Sequence, residues 1–420
     1  MTTAAESADR ALAPGQLCEN AGSPAGASHL PSHPRGARPS LDDVARNKLE
    51  ALERRQLRRR LTVTARSSAT SATQSAAELV SFSCNDYLGL SQHPDVVAAS
   101  IEATRRFGVG AGSSRLVNGN HPLYVELESK LAALKGAEDC VVFGSGYLTN
   151  VGTLPALLGA SDLVVLDELC HNSLLTGAGV SGARVLEFRH NDVSHAAELL
   201  AAERAAHRRC LLLTDGVFSM EGDLAPLPAL AALAAEHDAW LMTDDAHGIG
   251  VVGGGRGSSF AFDPPVSVPL QMGTLSKAVG SYGGYLCASR NVAELVRNRA
   301  RSFVYSTGLP PGTVAAAIRA LDLIANDSEL VRRPLARARE FTAALDLPPA
   351  TSAIVSLVIG SAARALAASD ALRSAGFLVA AIRPPTVPPG TSRLRLTFSA
   401  AHTPDQVEAL VAAVRPLLAG

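Results

Sequence analysis

The sequence has few aromatic residues, little net charge and no paired cysteines, and each shortage excludes a class of protein. Only 4% of its 420 residues are aromatic and the formal net charge is −1, so charge gives no reason to expect nucleic acid as a partner. Its six cysteines stand singly, without a CxxC pair, which argues against a zinc ribbon or disulfide framework and fits a reducing cytoplasm. No apolar run reaches the roughly 18–20 residues of a membrane span, and the N-terminus lacks the apolar core of a secretory signal. A soluble cytoplasmic protein without a membrane segment remains.

Composition divides the chain into four parts. The first 40 residues are rich in Ala, Gly, Ser and Pro without an apolar period, which predicts disorder. A helix is predicted from Leu41 to Leu61, opened by a Ser40 cap, and we interpret its arginine cluster as mostly a solvated face rather than a nucleic-acid site. The predicted parts are a disordered extension (1–40), an N-terminal helical segment (41–80), a large domain (81–310) and a smaller C-terminal α+β domain (311–420).

The large domain shows the alternation of short apolar runs and amphipathic stretches that is typical of an α/β protein. Amphipathic stretches such as Leu227–Glu236 separate most of its short apolar runs, a pattern that predicts a parallel sheet covered by helices on both faces. In such sheets ligands collect at the carboxyl ends of the strands. The runs begin near Cys140, Leu163, Arg184, Cys210, Trp240, Val266 and Tyr285.

Residues that follow these runs predict a pyridoxal phosphate site. Lys277 follows the run near Val266 among glycine and hydroxyl residues, and the poor solvation expected there lowers an amine's pKa, as a Schiff-base lysine requires. Asp244 ends another run and suits a protonated ring nitrogen, while the glycine loop before Tyr147 suits a phosphate.

Other features of the sequence have competing interpretations. The GxGxxG match at residues 248–253 runs into further glycines that cannot open a helix, so a dinucleotide site is not predicted. Asp244 and His247 could bind a metal but lack a third ligand nearby. His171 suits either a structural or a catalytic role. Arg395 lies on an alternating strand, RLRLTF, and either faces solvent or binds a carboxylate.

Nine segments together resemble the α-oxoamine synthases, pyridoxal-phosphate enzymes that join an amino acid to an acyl thioester. The resemblance extends from about Leu41 to the end of the chain. It implies fold type I: a mostly parallel seven-stranded sheet with helices on both faces and a smaller C-terminal domain. The segments are FSCNDYLGLSQHP, GSGYLTN, DELCHNSLL, HNDV, TDGVFSMEGD, DDAHGIG, TLSKAVG, VYSTGLPP and AIRPPTVPPGTSRLRLTFSAAH.

The resemblance also implies roles for individual residues. Lys277 would hold the cofactor and move the substrate's Cα proton, Asp244 would pair with the ring nitrogen, and His171 would stack on the ring and contact substrate. The other implied contacts are Ser219 and His247 to the ring oxygen; Gly146, Tyr147 and Thr274 to the phosphate; Arg395 to the amino-acid carboxylate; Arg58 and Thr386 to substrate; and Ser306 and Thr307 to the phosphate across a subunit interface.

The last of the nine segments favours the branch of the family that makes 8-amino-7-oxononanoate from L-alanine and a pimeloyl thioester, carried by CoA or acyl carrier protein. The family also implies a homodimer with active sites at its interface. A sister enzyme that condenses glycine with another acyl-CoA shares nearly all these residues and stays an alternative. A non-catalytic scaffold is disfavoured because Lys277 is present. Tyr282 and Tyr285 make the segment after Lys277 bulkier than the family leads us to expect.

Overall fold

The computed structural model describes residues 39–55 and 57–418, so nearly all of the extension predicted for residues 1–40 lies outside the described residues. The chain divides into two compact units, Met1–Arg58 and Arg59–Gly420. In the first, helix α1 spans Leu41–Arg54 and opens with a capping box between Ser40 and Asp43. The helix ends before the predicted Leu61, where successive arginines would place like charges one turn apart.

The second unit alternates strands and helices over most of its length. Its strands are β1 Ala65–Arg66, β2 Ser71–Gln74, β3 Ala77–Ser81, β4 Asp139–Phe143, β5 Leu163–Asp167, β6 Arg184–Phe188, β7 Cys210–Asp215, β8 Trp240–Asp244, β9 Leu270–Thr274, β10 Gly284–Ala288, β11 Ile354–Gly360, β12 Phe377–Leu378, β13 Ala380–Ile382 and β14 Ser392–Thr397. Its helices are α2 Pro94–Phe107, α3 Pro122–Lys135, α4 Gly146–Leu157, α5 Asn172–Ser181, α6 Val193–Glu203, α7 Leu227–Glu236, α8 Arg290–Arg299, α9 Arg301–Val304, α10 Pro311–Asn326, α11 Ser328–Ala344, α12 Ala362–Ser374 and α13 Pro404–Leu418.

A seven-stranded sheet forms the centre of this unit, with the order β4-β10-β9-β8-β7-β5-β6. Strand β10 is antiparallel to both neighbours and the other pairs are parallel, which confirms the predicted mostly parallel sheet. All seven apolar runs supply a strand. The run near Val266 becomes a strand only from Leu270, just after Pro269, which has no N–H to donate to a ladder.

Helices cover both faces of this sheet. Side chains along β4 alternate between two cores: Cys140 and Val142 pack with α2, α3 and α10, whereas Val141 and Phe143 pack with α4, α5 and α8. This period of two is what a strand buried on both sides requires. The sheet therefore holds its strand ends rigidly between two apolar layers.

Two smaller sheets complete the unit. Strands β11, β14 and β13 form one sheet, packed with α11, α12 and α13, and β1, β2, β3 and β12 form the other. Helix α10 begins at Pro311 and packs mainly on α2 and α3; the domain boundary at residue 310 stays a prediction. Among the described residues, no helix combines the length and apolar character needed to cross a membrane.

Candidate active site

Residues at the carboxyl ends of β4, β5, β7, β8 and β9 surround one cavity of about 190 Å³, which we call the inner cavity. This is the edge at which parallel sheets gather ligands. The inner cavity is lined by Ser145, Gly146, Tyr147, His171, Ser173, Asp215, Asp244, Ala246, His247, Met272, Thr274, Ser276 and Lys277. Seven of the predicted site residues thus meet here: Gly146, Tyr147, His171, Asp244, His247, Thr274 and Lys277.

The amine of Lys277 lies within the inner cavity, 2.7 Å from Nε2 of His247. Burial lowers the pKa of Lys277 to about 8, although the carboxylates of Asp244 and Asp215 act in the opposite direction. At pH 7 about a tenth of the amine is therefore unprotonated, far more than for an ordinary lysine. An amine in that state can act as a nucleophile or accept a proton.

The carboxylate of Asp244 is fixed from both sides. Its Oδ2 accepts from Nδ2 of Asn150 at 2.8 Å and its Oδ1 from the backbone N–H of Ala246 at 3.0 Å. Asn150 donates also to Ser173 Oγ at 2.9 Å, so the amide itself is held. Burial and the neighbouring Asp244 raise the pKa of Asp215 well above its ordinary value, so the two neighbouring carboxyls differ in their tendency to carry charge.

The start of α4 forms an anion-binding wall. Ser145 caps the helix by accepting from Leu148 N at 3.2 Å, and the first N–H groups of a helix have no partner within it. A Cβ on Gly146 would lie 3.1 Å from Met272 and 3.4 Å from Thr274, so this wall has room only for glycine without rearrangement. The hydroxyls of Thr274 and Ser276, 2.8 Å apart, lie beside it. Helix N–H groups and hydroxyls together suit a phosphate.

His171 is fixed at the entrance of the inner cavity. It precedes α5 as its cap, its Nδ1 is 2.7 Å from Ser173 Oγ, and its backbone N–H donates to Asp215. Partial burial lowers the pKa of His171, Asp244 opposes this change, and Lys277 adds to it. A neutral ring results, which can lie against another aromatic ring without a charge penalty.

The groups that line the inner cavity fit pyridoxal phosphate. The cofactor needs an amine for its aldehyde, an anion for its protonated ring nitrogen and an anion-binding surface for its phosphate. Lys277, the fixed carboxylate of Asp244 and the N-terminus of α4 line the same cavity. The residues present therefore meet all three needs.

A second, larger cavity of about 560 Å³, the outer cavity, shares His171 with the inner one. Arg59 donates to Thr386 Oγ1 across it at 3.0 Å. Ser219 lines this cavity and not the inner one, so its predicted contact with the ring oxygen stays a prediction. The outer cavity is lined by Arg59, Glu168, Leu169, Cys170, His171, Asn172, Leu175, Ser219, Met220, Glu221, Pro385, Thr386, Val387 and Pro388.

Arg395 is buried beside the two cavities. All six residues of β14 are buried, so the alternative of a solvated arginine strand is wrong. The guanidinium donates to Ser219 O, to Asn85 Oδ1 at 3.1 Å and to Tyr87 Oη at 3.4 Å. Arg393, on the same face of the strand, pairs with Glu221 at 2.8 Å. Arg395 thus has neutral partners only in these hydrogen bonds, which suits a guanidinium that receives a carboxylate.

Arg58 belongs to the first unit, where it pairs with Glu53 at 3.3 Å, and its predicted substrate contact stays a prediction. Ser306 and Thr307 lie between α9 and α10 and line neither cavity; their contact across an interface stays a prediction too.

The two tyrosines after Lys277 leave both cavities free. Tyr282 is exposed, whereas Tyr285, on the inner strand β10, is fully buried. Neither residue lines the inner or the outer cavity. Tyr285 lies directly under Gly273, where a Cβ would come within 2.4 Å of its hydroxyl. The bulk noted in the sequence is therefore accommodated by a glycine on the neighbouring strand.

Sequence reasoning missed four residues that the structure brings to the site: Asn150, Asp215, Tyr87 and Arg59. Asp215 ends a strand, as Asp244 does, so its position was a usable signal. Asn150 lies one turn into α4, on the face that Gly146 opens. Nothing distinguished Arg59 within its arginine run, nor tied Tyr87 to a histidine 160 residues away.

Comparison with known proteins agrees with the motifs. The model of the "Aminotransferase class I and II" family matches residues 77–414. The 8-amino-7-oxononanoate synthases of Granulibacter bethesdensis and Beijerinckia indica are 56% and 55% identical to this chain, in each case over 90% of it and 98% of the relative. A serine palmitoyltransferase of S. paucimobilis, solved with bound PLP and myriocin, has a TM-score of 0.84 at 30% identity over 91% of this chain and all of that one. The chain belongs to the class I and II aminotransferase family and, within it, to the 8-amino-7-oxononanoate synthases.

Proposed function

We propose that the chain condenses L-alanine with a pimeloyl thioester to give 8-amino-7-oxononanoate, carbon dioxide and the free thiol, a step of biotin synthesis. The new bond joins alanine Cα to the acyl carbon, the thiolate leaves, and the alanine carboxyl departs as carbon dioxide. The observation that carries the proposal is a lysine amine, a fixed carboxylate and a helix N-terminus around one cavity, in a chain 55–56% identical to named synthases of this product.

The cofactor of this reaction is pyridoxal phosphate, and the inner cavity holds it. When bound, the cofactor draws electrons from alanine Cα, which permits proton loss, carbon–carbon bond formation and decarboxylation. Lys277 would provide its covalent anchor, Asp244 the partner of its ring nitrogen, and His171 the surface for its ring face. Gly146, Tyr147 and Thr274 would hold the phosphate, and Ser219 and His247 would contact the ring oxygen.

The chain's own groups divide the remaining work. Lys277, with its pKa of about 8, takes the Cα proton and later returns one, because its amine changes protonation near the working pH. Arg395 receives the alanine carboxylate with its planar fork. The outer cavity, lined by apolar residues such as Leu175, Met220 and Val387 as well as by Arg59 and Thr386, receives the acyl chain of a CoA or acyl-carrier-protein thioester.

The enzyme works as a cytoplasmic homodimer in this proposal. Around Ser306 and Thr307 the surface exposes large apolar side chains, of which Val109, Val117 and Tyr305 are between 75% and 82% exposed. A patch of this kind supports an interface between copies, where Ser306 and Thr307 of one subunit would reach the other's phosphate. The five described cysteines are free thiols, which accords with a reducing compartment. Light scattering should give twice the mass of the 43.4 kDa chain.

The visible absorption spectrum of the purified holoprotein, titrated with L-alanine and with glycine, tests the activity first. We expect a violet-region band that alanine shifts at lower concentration than glycine, followed by carbon dioxide release only when a pimeloyl thioester is added. The Lys277→Ala protein is the control, because it should fold and yet show no turnover.

Three results would contradict this proposal. A preference for glycine would move the function to the sister enzyme with the same chemistry. No band after addition of pyridoxal phosphate would remove the catalytic assignment. Near-normal turnover in Lys277→Ala would show that another group moves the proton.

A further inference from the structure

The hydroxyl of Tyr87 lies within hydrogen-bond distance of three side chains, and the proposed function gives it no role. Tyr87 is fully buried in the hydrophobic core that also contains Leu90 and Leu275. Its oxygen lies 2.6 Å from Nδ1 of His247, 3.2 Å from Oδ1 of Asn85 and 3.4 Å from Nη2 of Arg395. The opposite nitrogen of the same His247 ring, Nε2, lies 2.7 Å from the amine of Lys277.

The ring of His247 carries a single proton. Burial lowers its pKa well below the ordinary value, and the cations Lys277 and Arg395 lower it further. A neutral imidazole has one N–H and one lone pair. If Nε2 accepts from Lys277, the proton is on Nδ1, which then donates to Tyr87. If Nε2 donates to Lys277, Nδ1 has no proton and must accept from Tyr87.

Tyr87 can meet either need because it has one proton to give and two acceptors within reach. Arg395 only donates, so the tyrosine oxygen accepts from it in both cases. When the proton of Tyr87 points to Asn85, Nδ1–H of His247 donates to the oxygen and Nε2 accepts from a Lys277 ammonium. When that proton points to Nδ1, Nε2–H donates to Lys277, whose amine must then be neutral.

We propose that Tyr87 is a positioning residue whose hydroxyl favours the His247 tautomer with its proton on Nδ1, the tautomer that can accept from a Lys277 ammonium. The inference rests on the proposed function only in taking Lys277 as the reactive amine. The same tautomer determines whether His247 presents a proton or a lone pair to a group bound in the inner cavity.

Counting hydrogen bonds gives the sign of the effect. Without the hydroxyl, both forms lose the bond from Arg395 to Tyr87. The ammonium form also loses the bonds from His247 to Tyr87 and from Tyr87 to Asn85, whereas the form with Nε2–H donating to a neutral amine also loses only the bond from Tyr87 to His247. One net bond therefore favours the ammonium form in the native chain, and its loss should lower the pKa of Lys277 by about half to one unit.

The test measures that pKa in the full-length chain freed of cofactor. Trace acetylation of Lys277 with acetic anhydride between pH 6 and 10, followed by mass spectrometry against a free amine standard, gives its titration midpoint. Tyr87→Phe keeps the ring and removes the hydroxyl. Asp244, Asp215, His171, His247 and Arg395, the other groups that face the amine, stay in place.

Tyr285→Phe is the matched control, because this equally buried tyrosine has a hydroxyl without a hydrogen-bond partner among the described residues. We expect the midpoint to fall in Tyr87→Phe and to stay in Tyr285→Phe. An unchanged or raised midpoint in Tyr87→Phe, or an equal fall in both variants, overturns the proposal. Should Tyr87→Phe not fold, Asn85→Ala replaces it, since loss of that acceptor shifts the midpoint in the same direction. The measurement uses no substrate, so its result is independent of whether alanine proves to be the amino acid.

Discussion

Asp244 and Asp215 end neighbouring strands opposite one another, yet the contacts around the two carboxyls differ. Asn150 and a backbone N–H stabilise Asp244 as an acceptor, whereas burial and the nearby Asp244 charge raise the pKa of Asp215. Two acids of the same type thus differ because only one has donors to both oxygens. This difference supports the proposal that Asp244, and not Asp215, is the partner of a ring nitrogen.

Replacement of Asp244 by Asn should reduce kcat by at least about a hundredfold, because the fixed negative charge that stabilises the protonated ring is lost. The volume hardly changes, so light scattering should give an unaltered subunit assembly. Asp215→Asn, at the neighbouring strand end where burial and Asp244 already disfavour the charge, is the control and should cost far less. Equal losses in the two variants would assign the charge to the pair rather than to Asp244.

Arg58 and Arg59 are adjacent in sequence but bond to different residues. Arg59 donates to Thr386 in the outer cavity, whereas Arg58 pairs with Glu53. We expect Arg59→Ala to raise the KM for the thioester about tenfold, the equivalent of one charge-assisted hydrogen bond, with the alanine KM unchanged.

Arg58→Ala removes the same charge one position away and serves as the control for Arg59→Ala. Steady-state kinetics with each substrate varied in turn distinguish the two arginines. A larger effect in Arg58→Ala would return the substrate contact to the residue that the family resemblance indicates.

Among the elements, α3 and β8 are joined by an ion pair that solvent does not reach. Lys135, the last residue of α3, lies 2.6 Å from Oδ2 of Asp245, and both side chains are fully buried. Asp245 follows Asp244 directly and also accepts from Ser258 N. The pair therefore fixes the turn that carries Asp244 and His247 into the cavity.

Lys135→Met should lower the free energy of unfolding by about 3–5 kcal/mol, because it leaves the carboxylate of Asp245 buried without its cation. The matched control is Lys130→Met on the same helix, since Lys130 pairs with Asp322 at a partly exposed site and should cost no more than about 1 kcal/mol. Urea unfolding measures both. Similar values would mean that the buried pair contributes no more than a surface one.

The connections after β5, β6 and β7 meet at His190. Its Nδ1 lies 3.1 Å from Asp167 and its Nε2 lies 2.9 Å from Asp223. Burial alone would lower the pKa of His190, but the two carboxylates raise it to about 10. A protonated histidine thus joins the end of β5 to the connections that follow β6 and β7. The connection after β7 also contains Ser219.

The contacts of His190 with Asp167 and Asp223 predict that the stability of the folded protein depends on pH. Because the folded-state pKa is above the ordinary value of 6.5, the contribution of His190 is complete below pH 6.5 and disappears as pH rises toward 10. His190→Gln should therefore lower Tm most at pH 6, and the difference from the native protein should narrow steadily toward pH 10. A constant difference across this range would show that the charge of His190 contributes nothing.

Over the whole molecule, the sequence predicts the sheet and much of the inner cavity because both depend on local signals. Each apolar run forms a strand, and the residue after it reaches the common edge wherever neighbouring strands are parallel. The contacts that sequence cannot supply join distant segments: Tyr87 with His247, Arg59 with Thr386, Lys135 with Asp245. They depend on the path that the chain takes between helices and strands, and the hydrophobic periodicity of the sequence does not predict that path. For the same reason the motif FSCNDYLGLSQHP indicates a family but not that its tyrosine touches the histidine of DDAH.

Gly273 and Tyr285 occupy one shared space on neighbouring strands. An alanine at 273 alone would push the tyrosine ring out of its place, and a smaller residue at 285 alone would leave a hole beneath the site. A change of side-chain size at either position therefore needs a matching change at the other, in an evolving lineage or a mutant library. Random mutagenesis scored one position at a time would find that 273 tolerates no larger residue and 285 no small one, while a library that varies both together should recover active combinations with a larger residue at 273 and a smaller one at 285.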